Sequence, residues 1–426
     1  MEGRKLRRMV GALRVRLPEL RLGDVRDPRR RGSCRWRLEL LLRAVLVGIA
    51  AGKRSLAEVE GLTGKMSVAF ARALRLRGRV PDTTLRDVLV KLEPGDLRGA
   101  LYRLVRCAYR RKALVPTELP FGVVSMDGKA TAIDAWDEDF AQLQPHSSAA
   151  GASGVVRTIS SVLVGGRANI FIDAAPIPSA TNEMGHFQTA LGELLEAYDG
   201  LDLFRMVAYD SGGCSKANAD FVRARRLHYL FRFDQNQPTL HEEAKRVLAS
   251  SSAAPDTSDV YRTSRGRVRR SLFIIRDMAG FHWDHLQTVL VVRSETLDAG
   301  GHVKRTEHRH YVSSLAADRL SPTQWLKLTR LRWAVENDGH HTLDVAFEED
   351  ERPWIVSDPK GMAVVAMLRR IVCAILALFR GVTLRAEQNR SMPWKALLEW
   401  VYDTATRLAP EHADGLRDPE RRATPA

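Results

Sequence analysis

Between Gly122 and about Phe233 the chain switches repeatedly between two hydrophobic periods, and this switching limits its fold more than any other feature. Phe121–Met126, Thr158–Val164 and Ala168–Ala174 are short β-branched and apolar runs of strand type. Asn182–Tyr198 then carries apolar residues at helical spacing. Phe204–Tyr209 reads as a strand, Ser215–Arg226 as a helix and Tyr229–Phe233 as a strand. Such an order calls for helices laid against a sheet. Upstream, to about Leu119, the texture is helical: Arg37–Ala51, Leu85–Leu92 and Leu97–Tyr109 repeat with helix period. Downstream, Ser271–Arg276, Gln287–Ser294 and His308–Ser314 read as three further strands. Ser321-Pro322-Thr323-Gln324 then has the pattern of a helix start, with Ser as N-cap, Pro in the first turn and Gln three residues on. Trp325, Leu328, Leu331 and Val335 continue that helix.

Three strands, a helix, a strand, a helix and a strand is the order of a ribonuclease-H-like α/β core. We therefore expect a mixed sheet flanked by helices, with a β-rich insertion before the acidic helix and an N-terminal helical domain. The expected segments are a basic arm (1–37), a DNA-binding helical domain (38–119), the first part of the core (120–234), the β-rich insertion (235–320), the acidic helix with C-terminal core helices (321–408), and a disordered polar tail (409–426).

Charge narrows the function. Across 426 residues Lys plus Arg exceed Asp plus Glu by 66 − 51 = 15, and so basic a chain ordinarily meets polyanions. Residues 1–37 alone hold 13 basic and 4 acidic side chains. The four cysteines, Cys34, Cys107, Cys214 and Cys373, are far apart and lack metal-ligand spacing, which argues against a disulfide framework or a zinc finger. Arg43 interrupts the apolar run Leu38–Ala51, and Arg369 and Arg370 interrupt Met362–Val382. Both runs read as core helices rather than membrane spans. No apolar run followed by a cleavage site marks a secretory signal. The expectation is a soluble cytoplasmic protein, nucleoid-associated and without a membrane partner.

Three acids stand at positions where chemistry is feasible. Asp127 follows the first strand of the core, and Asp210 follows the fourth. In the expected sheet these strands are neighbours, so the carboxylates would lie side by side. Glu336 falls on the helix that starts near Ser321. Each has an ordinary reading as well: Asp127-Gly128 and Asp210-Ser211-Gly212-Gly213 as turns, and Glu336 as a solvated helix position. Jointly, three converging carboxylates suit a pair of Mg²⁺ ions, with Mn²⁺ as substitute, for in-line phosphoryl displacement. Asp344, at i+8 from Glu336, is a rival third ligand. His340, at i+4, can reach the site, but no second His or Cys at ligand spacing supports zinc.

The stretch Arg332-Trp333-Ala334-Val335-Glu336-Asn337, continuing through His340-His341 to Leu343-Asp344-Val345-Ala346-Phe347-Glu348-Glu349-Asp350, closely resembles the acidic-helix motif of bacterial insertion-sequence DDE transposases, nearest to the H-repeat-associated group. Met126-Asp127-Gly128-Lys129, Thr181-Asn182-Glu183 and Asn236-Gln237-Pro238-Thr239-Leu240 resemble further motifs of that group, in order. Upstream, Asp27-Pro28-Arg29, Gly52 to Glu58 and Pro81 to Leu85 are similar to its helical domain. Thr329 and Leu343 stand where the wider superfamily often has Tyr and Lys, and Ala180 where the group has Lys.

The resemblance implies Asp127, Asp210 and Glu336 as metal-binding catalytic residues, and Arg332, with Lys129 and Asn337, as DNA contacts. It also implies cleavage at element ends, transfer of 3′-hydroxyls into target DNA, and a homodimer in the active complex. Arg265, Arg267, Arg269 and Arg270 form, with Arg262, an acid-free run about a turn at Ser264-Arg265-Gly266. That run reads as a hairpin gripping double-stranded DNA or, equally, as a solvated charged hairpin. Two further functions stay open: a domesticated, transposase-derived DNA-binding regulator, and a metal-dependent nuclease of the same fold that does not join ends.

Overall fold

In the computed structural model the described residues are 2–413 apart from 31–33, 77, 138, 144–153, 251–253, 264–265 and 385. Among them ten strands form one mixed sheet flanked by helices. In chain order they are β1 (Val123–Ile133), β2 (Ala141–Leu143), β3 (Gly154–Val164), β4 (Ile170–Pro176), β5 (Met206–Tyr209), β6 (His228–Phe233), β7 (Thr257–Thr263), β8 (Gly266–Ile275), β9 (Thr288–Leu297) and β10 (Val303–Ser313).

β1 pairs antiparallel with β3 along its whole length and parallel with the short β5, which pairs parallel with β6. β2 and β4 share the other edge of β3. The central strands are buried on both faces, which is why they read as near-continuous apolar runs rather than alternating ones. The helices Glu183–Ala197 and Lys216–Ala224 join β4 to β5 and β5 to β6, each opened by a side-chain cap: Asn182 accepts from the Gly185 N–H, and Ser215 from the Asn218 N–H.

The expected insertion is part of the same sheet. β10 pairs antiparallel with β6, and β9, β8 and β7 extend the order outward. It holds four strands rather than three, and it begins with a helix, Pro238–Ser250. β7 escaped the sequence reading because it is an exposed edge strand with no apolar run.

The N-terminal expectation needs a larger correction. Residues 1–37 do not make an arm, because Glu2–Glu19 is a helix. Its Leu6, Met9, Val10, Leu13 and Leu17 are buried against the helices Trp394–Arg407 and Pro94–Arg110. Arg4, Arg7 and Arg8 lie on the exposed faces, whereas Arg16 is buried and pairs with Glu19 at 2.9 Å. Nor do residues 38–119 stand apart. Leu38–Ala50 and Pro94–Arg110 pack on the helix Pro359–Leu378, which lies on β4, so one hydrophobic core runs through helices and sheet. Pro359–Thr383 is long and apolar enough to cross a membrane, yet its apolar stretch is wholly buried by protein. It is a core helix. Of the tail expected over 409–426, Pro410–Ala413 is a helical turn and 414–426 lie outside the described residues.

Candidate active site

Register brings the first two acids together. Val123 faces Met206 and Ser125 faces Ala208 in the parallel β1–β5 pair, so continuing two residues sets Asp127 beside Asp210. Asp127 lies within β1, opposite Ser160 of β3, and the Asp-Gly pair is therefore strand rather than turn. A Cβ at position 128 would lie 1.9 Å from Glu183 Oε2, so any larger residue there would displace that side chain. Asp210 does begin a turn, the short 3₁₀ segment Ser211–Gly213.

The acidic helix starts as expected. Ser321 and Gln324 form a complete capping box, and Pro322 is the first helical residue. It does not continue as a uniform α-helix. After Leu331 the path stays right-handed but widens into a π turn over Val335–His340, then resumes as His341–Phe347. Single π turns of this kind re-aim the side chains they carry. The Ser125 hydroxyl of β1 donates to the Arg332 carbonyl oxygen, tying this irregular stretch to the strand that bears Asp127. Gly339 lets it lie close to the sheet, since a Cβ there would be 3.1 Å from the Phe171 ring.

The side chains form one electrostatic cluster. Arg332 Nη1 lies 3.4 Å from Asp210 Oδ1 and 3.7 Å from Glu336 Oε1. Arg232 Nη1 is 3.6 Å from the same Asp210 oxygen, and His340 Nδ1 is 3.4 Å from Asp127 Oδ2. Burial, reinforced by the Asp210 charge and opposed by Arg332, pushes the Asp127 carboxyl up to about 6. Burial likewise raises Glu336, against the pull of Arg332. Burial holds His340 down at about 4, so its imidazole is neutral at physiological pH. Glu183, at the start of its helix, is a fourth carboxylate raised by burial, and it accepts a 2.8 Å hydrogen bond from the Tyr209 hydroxyl.

Arg332 is 1% exposed, so it is a buried residue rather than a surface arginine at the cleft rim. None of its three guanidinium nitrogens has a hydrogen-bond partner, and neither has Asp210 Oδ1. Among the described residues no three His, Cys, Asp or Glu side chains close around a single point. The Arg332 guanidinium instead lies between Asp210 and Glu336.

Several residues assigned to DNA have other duties. Lys129 is buried, its ammonium 2.7 Å from Asp344 Oδ1 and 2.9 Å from Asp350 Oδ1, so it braces the end of the acidic helix and is not free to meet DNA. The same pair occupies Asp344, the rival third ligand. Arg270 is buried and held by both oxygens of Asp259. Arg269 donates to Glu295 at 2.8 Å but stays half exposed. Arg267 is exposed and faces Arg262 across the β7–β8 hairpin, while Asn337 is exposed beside Glu336. Arg265 lies outside the described residues.

The sequence reading missed Arg232 and gave Glu183 no role. It also missed an arginine-lined groove of about 710 Å³, where Arg35, Arg37 and Arg43 meet Arg72 and Arg75. The basic count up to Arg37 pointed to one half of that groove only. A cleft of about 430 Å³ opens on Asp127, Glu183 and Asp210. No protein-family model matches the chain, and no curated protein matches it.

Proposed function

We propose that this chain is a DNA transposase of an insertion sequence, with a ribonuclease-H-like core that cleaves DNA at element ends and joins 3′-hydroxyls to target DNA. The observation that carries this reading is the register that sets Asp127 beside Asp210, with Glu336 on the helical run packed against the same strand. The strand order β4–β3–β1–β5–β6, antiparallel twice and then parallel twice, supports the fold reading.

The donor chemistry fits Mg²⁺ or Mn²⁺. Asp127, Asp210 and Glu336 offer hard carboxylate oxygens, one of them, Asp210 Oδ1, buried without a hydrogen bond. Burial raises the proton affinity of Asp127 and Glu336, and neighbouring carboxylates add to it, Asp210 at Asp127 and both aspartates at Glu336. Bound there, such ions would supply charge neutralisation at the attacking and leaving oxygens. Arg332, buried between Asp210 and Glu336 with its hydrogen bonds uncommitted, carries a planar fork suited to a phosphate's two oxygens, which it reaches only where the cluster opens. Lys129, through Asp344 and Asp350, fixes the end of the helical run that carries Glu336. The arginine-lined groove and the exposed Arg267 supply sequence-independent grip on double-stranded DNA. A homodimer in the active complex and a cytoplasmic, nucleoid-associated location belong to the same reading.

The test is incubation of the full chain with duplex DNA from its own flanks, in Mg²⁺ or Mn²⁺. We expect nicks exposing 3′-hydroxyls, followed by joined products. Nicks without joining would favour a nuclease of the same fold. Tight DNA binding with neither product would favour a domesticated regulator.

A further inference from the structure

The helix Pro359–Leu378 carries two adjacent arginines into the core, and they are treated differently. Arg370 pairs with the buried Glu349 at 3.0 Å. Arg369, 2% exposed, donates to the Arg352 carbonyl oxygen at 2.8 Å, and no carboxylate of the described residues pairs with it. Its charge is answered only at a distance, by Glu349, Asp350 and Asp344 and by the Trp354 ring 5.5 Å away, so a direct anionic partner would still lower the cost of burying it.

Arg369 lines a cavity of about 280 Å³, near the small end of ordinary ligand pockets. The other walls are the loop Ala51–Arg54, the end of the acidic helical run at Ala346–Glu348, and the helix Trp394–Arg407. Lys53, Arg54, Arg369 and Lys395 face two acids, Glu348 and Glu399, so the lining has two positive charges in excess. Glu348 is already committed to Arg54 at 2.8 Å and to Arg352 at 3.3 Å. The Lys53 ammonium sits 4.2 Å from the centre of the Tyr402 ring, and neither it nor Lys395 pairs with a carboxylate of the described residues. One guanidinium and two ammonium groups on the lining are the donor set that a phosphate group takes.

We propose that this cavity binds a phosphate group, borne either by a small molecule or by a nucleic-acid backbone. The inference does not rest on the catalytic reading, because the two cavities share no lining residue.

The experiment compares the full-length wild type with Lys53→Ala/Lys395→Ala in two arms. Calorimetric titration with inorganic phosphate should show saturable binding that weakens at least about tenfold in the variant. The second arm measures duplex DNA affinity against salt. If the phosphate belongs to a DNA backbone, the slope of log affinity against log salt falls by about 0.9 in the variant. If it belongs to a small molecule, phosphate binding weakens and that slope stays unchanged. Arg369→Met, with folding checked by its melting curve, should lose the same binding. Should that variant not fold, the lysine pair decides alone. Equal phosphate binding by both proteins, or no phosphate binding together with an unchanged slope, overturns the proposal.

Discussion

The carboxylate cluster and the β7–β8 hairpin are both rich in arginine, yet they use it in opposite ways. In the hairpin, Arg270 is 6% exposed and its Nε and Nη2 donate to the two oxygens of Asp259, while Arg269 ends on Glu295. At the cluster, Arg332 is 1% exposed with two acids within 3.7 Å, and none of its nitrogens makes a hydrogen bond. Buried polar groups in folded proteins are almost always satisfied, so the exception marks where a further partner belongs. Charge spent on the fold and charge held for a ligand look alike in a sequence. Only the partners separate them.

The largest effect that can break this comparison is on stability against pH. The Asp127 carboxyl titrates near 6 in the fold against an ordinary 3.8, so the folded state binds that proton more tightly. This group favours the fold below about pH 4 and opposes it increasingly as pH rises through 6. Without divalent ions, Asp127→Asn should therefore stabilise the chain at pH 8, by at most about 3 kcal/mol, and leave it unchanged at pH 4. Urea melts at both pH values measure this; a variant less stable at pH 8 would show that burial and the Asp210 charge do not penalise the Asp127 carboxylate.

Arg270→Ala should cost about 1–2 kcal/mol of stability, since it leaves Asp259 half-buried without its partner, and should leave DNA affinity within about twofold. Arg332→Lys keeps the charge and loses the fork, so cleavage should drop at least about tenfold, or 1.4 kcal/mol of barrier. If Arg332→Lys only melts lower and Arg270→Ala only binds DNA less, the assignment of the two regions is reversed. The smallest effect is expected at Arg267, exposed and opposite Arg262. Arg267→Ala should shift stability by no more than about 0.5 kcal/mol and lower the salt slope of DNA binding by about 0.9.

What the sequence makes legible here is whatever repeats locally. The five core strands, the two connecting helices and the capping box at Ser321 all follow from period and cap residues, although β1 runs seven residues past its expected end at Met126, and Asp127 lies inside it. The pairing of Asp127 with Asp210 was legible too, because both stand at equivalent places on strands that the element order makes neighbours. The N-terminal helix was legible and passed over: Leu6, Met9, Val10, Leu13 and Leu17 form a helical stripe under the arginines. The π turn at Glu336 was not legible, since no residue preference marks it and a hydrogen bond from Ser125 ties it down. Nor were the acids that hold Lys129, which lie 215 and 221 residues away along the chain.

The most direct measurement is metal-dependent nicking of flanking duplex by the wild type, Asp127→Asn, Asp210→Asn and Glu336→Gln, with DNA affinity taken on the same preparations. We expect the wild type to nick in Mg²⁺ or Mn²⁺, and each variant to fall by about a hundredfold or more while binding DNA within about twofold. Full nicking by any one variant would remove that carboxylate from the site, and full nicking by all three would contradict the account.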